Sequence, residues 1–213
     1  MANCCEDKSC ALEQLHTRQG NTLRLVLALN AVMFVVELAA GLLAGSVSLL
    51  ADSLDMLGDA LVYAFSLWVV GMGLLWKARA AMFKAGIMAA FGLFVAGEVI
   101  WNLMVPQVPA HETMGTVGLL ALAVNALCFV VLWRHRAEDI NMRSVWLCSR
   151  NDLFANTSVL LAAVGVWVTA SPWPDLIVGA AICALFLHSA WQVSVEARRE
   201  MRAAHDPLRI LNS

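Results

Sequence analysis

Apolar residues come along the chain in six long stretches, roughly 23–44, 48–76, 83–105, 114–133, 144–170 and 173–195. Each reaches the ~20 residues that a helix needs to cross the hydrocarbon of a bilayer. The joints between them hold Gly45-Ser46, the run Lys77-Ala78-Arg79, Pro106 and Pro109, the polar run from Arg134 to Asn141, and Pro172 with Pro174. All are helix punctuation or water-seeking sequence. The pattern predicts an all-α, polytopic membrane protein: a tail over 1–22, six transmembrane helices over 23–195, and a short tail over 196–213.

Composition agrees, with 61% hydrophobic residues against 14% charged, outside the range of ordinary soluble domains. The net charge of -2 carries no basic patch, which excludes a nucleic-acid partner. The cations are sorted. Lys8 and Arg18 precede the first stretch and Arg24 opens it, Lys77 and Arg79 lie between the second and third with Lys84 at the start of the third, Arg134, Arg136 and Arg143 lie between the fourth and fifth, and Arg198, Arg199, Arg202 and Arg209 after the sixth. Because Lys and Arg accumulate on the cytoplasmic side, both termini are expected in the cytoplasm, in a cell's inner (plasma) membrane. The first stretch is about twice the length of a signal-peptide core and carries Asn30 and Glu37, so it reads as a span.

The spans contain Glu37, Asp52, Asp55, Asp59, Glu98 and Asp152, with Arg150 as the single base among them. An acid at the bilayer centre costs about 2.5–3.5 kcal/mol, so the three aspartates of the second span alone amount to about 8–10 kcal/mol. Protonation, water, Arg150 or a bound cation must offset this. Helical spacing favours the cation. Asp55 and Asp59 are one turn apart on one face, with Asp52 a turn earlier on it. Like carboxylates so close ionise together only with positive charge between them. On the fifth span Cys148 and Asp152 repeat the spacing and Asn156 extends the stripe. Asp55, Asp59, Cys148 and Asp152 thus make a candidate set of four metal ligands, a number suited to tetrahedral Zn2+. The thiol of Cys148 also fits a small packed residue, and Asp52 fits either a ligand or an access and gating group. Glu37 with Asn30, and Glu98 with Asn102, are either accessory to transport or hydrogen-bonded between helices. Asp175 suits a helix start, and His188, Cys128 and Cys183 read as packing.

The run from Gly45 to Asp59 (GSVSLLADSLDMLGD), preceded by Asn30, Glu37 and Gly41, closely resembles the first two helices of the cation diffusion facilitators. Asn141-Met142-Arg143-Ser144 leads into Cys148-x-x-x-Asp152 where that family carries His-x-x-x-Asp, and Pro174-Asp175-Leu176-Ile177-Val178 resembles the start of its sixth helix. The resemblance implies export of divalent transition-metal ions from the cytoplasm in exchange for protons, by alternating access and usually as a homodimer. It places the transport site at Asp55, Asp59, Cys148 and Asp152. The chain departs from the family in Cys148, in the single His135 of the fourth-to-fifth loop, and in the absence of the usual cytoplasmic C-terminal metal-sensing domain.

The residues give their own reason for proton coupling. Three carboxylates and a thiolate around a divalent ion leave a net -2 site, and once the ion departs those anions are poorly solvated, so protons replace it. A thiolate shifts preference from hard ions such as Mn2+ towards Zn2+ and Cd2+. Cys4, Cys5 and Cys10, with His16, form a cluster ahead of the first span that suits either capture of a soft metal or an unstructured reduced tail. The expectation is a transporter with no cofactor, since no loop supplies the general base a metalloenzyme needs. The alternative is a non-transporting membrane metal-binding or metal-sensing protein built on the N-terminal cysteines.

Overall fold

The computed structural model describes residues 24–69, 74–133 and 140–204, and no side chain from 132 to 151 belongs to that description. Six helices follow one another: α1 (Arg24–Ala44), α2 (Val47–Val69), α3 (Leu74–Met104), α4 (His111–Trp133), α5 (Ile140–Thr169) and α6 (Trp173–Ala204). Five of them contain a stretch long and apolar enough to cross a membrane. The sixth, α2, has 23 residues, and its three aspartates are what set it apart. The chain is therefore an all-α, polytopic membrane protein.

Four helix boundaries depart from the apolar pattern, the first being the far end of the second stretch, whose residues 74–76 belong to α3 while α2 is described to Val69. The Lys77-Ala78-Arg79 run is helical, because α3 begins at Leu74 rather than at residue 83, and α5 begins at Ile140, ahead of Arg143. In the same way α6 continues past residue 195 through Arg198, Arg199 and Arg202. Lys and Arg are good helix formers, and their aliphatic stems let a helix run on while the charge reaches water. Arg79 shows this: it is exposed, with its guanidinium 5.4 Å from the centre of the Trp76 ring. Lys84 is instead buried within α3.

The polarity of the fold is that of a lipid-solvated protein. Large apolar side chains face outward, Leu43 being 88% and Val168 71% exposed. Asn30, Glu37, Ser46, Ser48, Asp52, Asn125, Asn156 and Asp175 are buried. Such an apolar exterior is stable only where water is absent. Within the bundle α2 packs against α3, α5 and α6, while α3 pairs with α6 and α4 with α5. α1 joins them through Val26 against Val62, Tyr63 and Cys128, through Met33 with Met56 and Ala121, and through Ala40 with Leu49 and Val159. Cys183 packs against Val95 and Leu176, its thiol donating to the Gly92 carbonyl at 3.4 Å. His188 is exposed rather than packed, and shares a hydrogen bond of 2.9 Å with Gln192.

One end of the bundle is tied together through the backbone. α1 ends at Gly45, whose φ of 65° is the left-handed conformation that closes a helix. The Ser46 amide then donates back to the Gly41 carbonyl at 3.0 Å. Ser46 in turn starts α2, its hydroxyl accepting from the Leu49 amide at 3.2 Å as an N-cap. The remaining orphan donors of α2 are met from α6. Asp175 accepts from the amides of Val47 (2.7 Å) and Ser48 (3.0 Å), and from the hydroxyls of Ser46 (2.7 Å) and Ser48 (2.6 Å). A carboxylate at a helix N-terminus is favoured both by these bonds and by the helix dipole. The approach is so close that a methyl group on Gly179 would stand 2.8 Å from the backbone of Val47 and Ser48. At the same end the Ala110 amide, just ahead of α4, donates to the Ala44 carbonyl at 3.0 Å.

Asp175 thus bears on stability from the first residue of α2 onward. Asp175→Ala strands two buried amides and two buried hydroxyls, and is expected to destabilise the protein by at least about 3 kcal/mol. Asp175→Asn, which keeps one acceptor oxygen, is expected to lose less. Thermal unfolding in detergent measures both, and equal midpoints for the parent and the alanine variant would refute the clasp.

Candidate metal site

The clasp fixes the rotation of α2, and with it the direction of the aspartate stripe. Asp52 is fully buried, at 0% exposure, while Asp55 and Asp59 on the following turns are half-buried. The stripe meets α5, which packs on α2 and carries a half-buried Asp152 and a buried Asn156. The two helices run antiparallel, since α2 starts and α5 ends at the same end of the bundle, where α6 begins.

Asn156 is the direct bridge. Its Nδ2 donates to Asp52 Oδ1 at 3.3 Å and to the Asp152 carbonyl at 3.0 Å. Both amide protons are used, which orients the side chain and leaves Asn156 Oδ1 buried without a hydrogen-bond partner. Asp52 also lies within electrostatic reach of the Asp152 carboxylate. From α1, Glu37 joins the same interior: it is 0% exposed and lies within electrostatic reach of Asp52 and Asp55. Neither of its carboxylate oxygens has a hydrogen-bond partner, nor does Asp52 Oδ2. Acids from α1, α2 and α5 are therefore turned inward to one region, away from the apolar exterior.

Other candidates fall elsewhere. Asn30 is buried, its Nδ2 bound to the Val26 carbonyl of its own helix at 2.9 Å. Glu98 is half-buried on α3, and it is its backbone carbonyl that accepts from Asn102, at 3.0 Å. Among the described residues, no three His, Cys, Asp or Glu side chains stand close enough to hold one ion together. Cys148 belongs to α5, one turn before Asp152, with its side chain outside the described ones, as is that of Arg150. Cys4, Cys5, Cys10, His16 and His135 also lie outside the described residues.

Two features of this interior are invisible at the level of spacing. Asp175 is more than a residue suited to its own helix start, because it completes the start of a different helix. The pair Ser46 and Ser48, small polar residues at a helix start opposite an acid in an apolar stretch, is the one trace of it in sequence. Glu37 gives no sign in its own helix of which neighbour it faces.

The chain matches the cation efflux transmembrane domain over residues 23–201. It is similar to the zinc transporter ZitB of Yersinia pestis, with 27% identity over 206 residues that cover 90% of this chain and 66% of that protein. A second relative is the metal cation efflux system protein CzcD of Cupriavidus metallidurans, 21% identical over 182 residues, 80% of this chain and 58% of that one. A third is the cadmium, cobalt and zinc/H(+)-K(+) antiporter of Bacillus velezensis, 22% identical over 200 residues, 85% and 64% of the two chains. The chain thus spans about two thirds or less of the length of the curated relatives it matches. Six helices, an acid-lined interior and the match along nearly the whole described length lead to one assignment: the chain belongs to the cation efflux transmembrane domain family.

Proposed function

We propose that this chain exports divalent transition-metal ions from the cytoplasm, with Zn2+ and Cd2+ preferred, in exchange for protons. The observation that carries the reading is the inward turn of acids from three helices within an apolar exterior. Ionisable groups held inside a membrane bundle mark ion pathways by default. Relatives whose names specify zinc, cadmium and cobalt transport, and one an antiport that includes H+, support the same reading.

In this proposal Asp55 and Asp59 of α2 face Cys148 and Asp152 of α5 and bind the ion as substrate. The half-burial of Asp55, Asp59 and Asp152 suits groups that must be reached from water, in contrast to the fully buried Asp52. Metal and protons compete for the same anions. Release on the outer side leaves poorly solvated carboxylates that take up protons, and return to the inner side gives the protons up to the next ion. An inward proton gradient then drives metal outward. In this reading both termini lie in the cytoplasm, which the cation-rich joints support.

Metal-dependent proton movement in sealed liposomes, compared for Zn2+, Cd2+ and Mn2+, tests the reading. Asp55→Ala is expected to lower coupled flux at least ~100-fold, since it removes a charged ligand worth several kcal/mol. Normal metal and proton movement in that variant would refute the site. Cys148→His is expected to shift relative transport from Cd2+ towards Zn2+, because imidazole is the harder ligand. An unchanged preference would remove Cys148 from the ligand set.

A further inference from the structure

Four buried oxygens remain unexplained by that site: Glu37 Oε1 and Oε2, Asp52 Oδ2 and Asn156 Oδ1. They come from three residues that are all at most 1% exposed, on α1, α2 and α5. The hydrogen bond from Asn156 to Asp52 ties two of these side chains together. Glu37 lies within electrostatic reach of the same Asp52. Buried polar atoms are almost always paired, so four unpaired acceptors in one neighbourhood indicate a missing positive partner. The orientation of Asn156 is informative here. With both amide protons held by Asp52 and by the Asp152 carbonyl, its free atom is an acceptor, and it adds to the carboxylate oxygens instead of neutralising them.

The position is consistent along both helices. Asp52 lies three residues before Asp55 on α2, and Asn156 four residues after Asp152 on α5. Since the helices are antiparallel, both displacements lead about one turn, roughly 5 Å, towards the clasped end of the bundle. We infer that Glu37, Asp52 and Asn156 form a second cation site, one turn from the transport site towards the clasped end, that takes a hard divalent ion through oxygen ligands alone.

The ligand chemistry separates the two sites. Two carboxylates and an amide carbonyl supply only hard oxygens, the set that Mn2+ and Mg2+ accept with water completing their shell. Protons could neutralise the carboxylates, yet a proton on each would serve one oxygen per group, whereas a hard divalent cation takes several oxygen ligands at once. The inference rests on the proposed transport reading for its role, as the station an ion meets after leaving Asp55 and Asp59 on the way out. The binding itself stands independently of that reading.

The test is equilibrium Mn2+ binding to the full chain in lipid nanodiscs, with free Mn2+ read by electron paramagnetic resonance. Three proteins are compared: the parent, Asp59→Asn, and the double variant Glu37→Gln with Asp52→Asn. The expected result is one bound Mn2+ in Asp59→Asn, and one ion fewer in the double variant than in the parent. No Mn2+ bound to Asp59→Asn, or an unchanged count in the double variant, overturns the second site. Loss of transport in Asp59→Asn with its Mn2+ retained separates the two proposals, since only the first depends on Asp59. Both substitutions in the double variant are near-isosteric and remove buried charge, so its metal-free unfolding midpoint is expected to equal or exceed the parent's. Added Mn2+ is then expected to raise the midpoint of the parent and of Asp59→Asn, but not that of the double variant. Asn156→Ala, which keeps both carboxylates, is expected to weaken Mn2+ binding at Asp59→Asn about tenfold, and full affinity there would also overturn the assignment.

Discussion

Carboxylates in a medium that cannot solvate them are the constraint around which this structure is arranged. Moving an ion from water into a low-dielectric interior costs several kcal/mol even after relaxation. Glu37 and Asp52 bear that cost in full burial with three of their four carboxylate oxygens unpaired. A soluble protein would discard such residues or surround them with donors. Here the surrounding bundle gives Asp52 one amide proton from Asn156 and otherwise leaves the acids to each other. Under the proposed function that charge is balanced by an ion that comes and goes. The apolar exterior, the inward stripe on α2 and the partner residues on α5 all keep those acids away from lipid.

Contrast the acid that is permanently satisfied. Asp175 is as buried as the others, yet it accepts four hydrogen bonds from the start of α2. Its charge is matched by fixed dipoles and needs no cation. The same side-chain type therefore serves two ends in one bundle, and the difference lies in the donors around it. Gly45 with its left-handed backbone, Ser46 as cap, and Gly179 as the point of closest approach make the donor set possible.

Much of this was legible in the residue order. The six helices follow from stretches of apolar residues, and the stripe of Asp52, Asp55 and Asp59 stands out because acids are rare in such stretches. Helix ends were less legible near Lys77, Arg143 and Arg198, because charge was taken as punctuation where long basic side chains allow a helix to continue. What spacing within one helix cannot contain is the identity of the facing helix. Glu37 and Asp175 owe their roles to partners on other helices, Asp175 to residues 127 to 129 positions away. Only folding brings those partners together. For the proposed transport set, the spacing of Asp55 with Asp59 and of Cys148 with Asp152 suggested two halves, and α2 and α5, which carry them, are packed together.

The staple at the start of α2 also acts as a fulcrum. α2 has 23 residues, or about 35 Å of length at 1.5 Å per residue, so a rigid tilt of about 10° around Ser46 sweeps Val69 through about 6 Å. The same tilt displaces Asp59 by about 3.4 Å and Asp52 by about 1.6 Å. A helix pinned in this way has its short arm at Asp52, beside Asn156, and its long arm beyond Asp59, so any tilt about the staple moves the far end most.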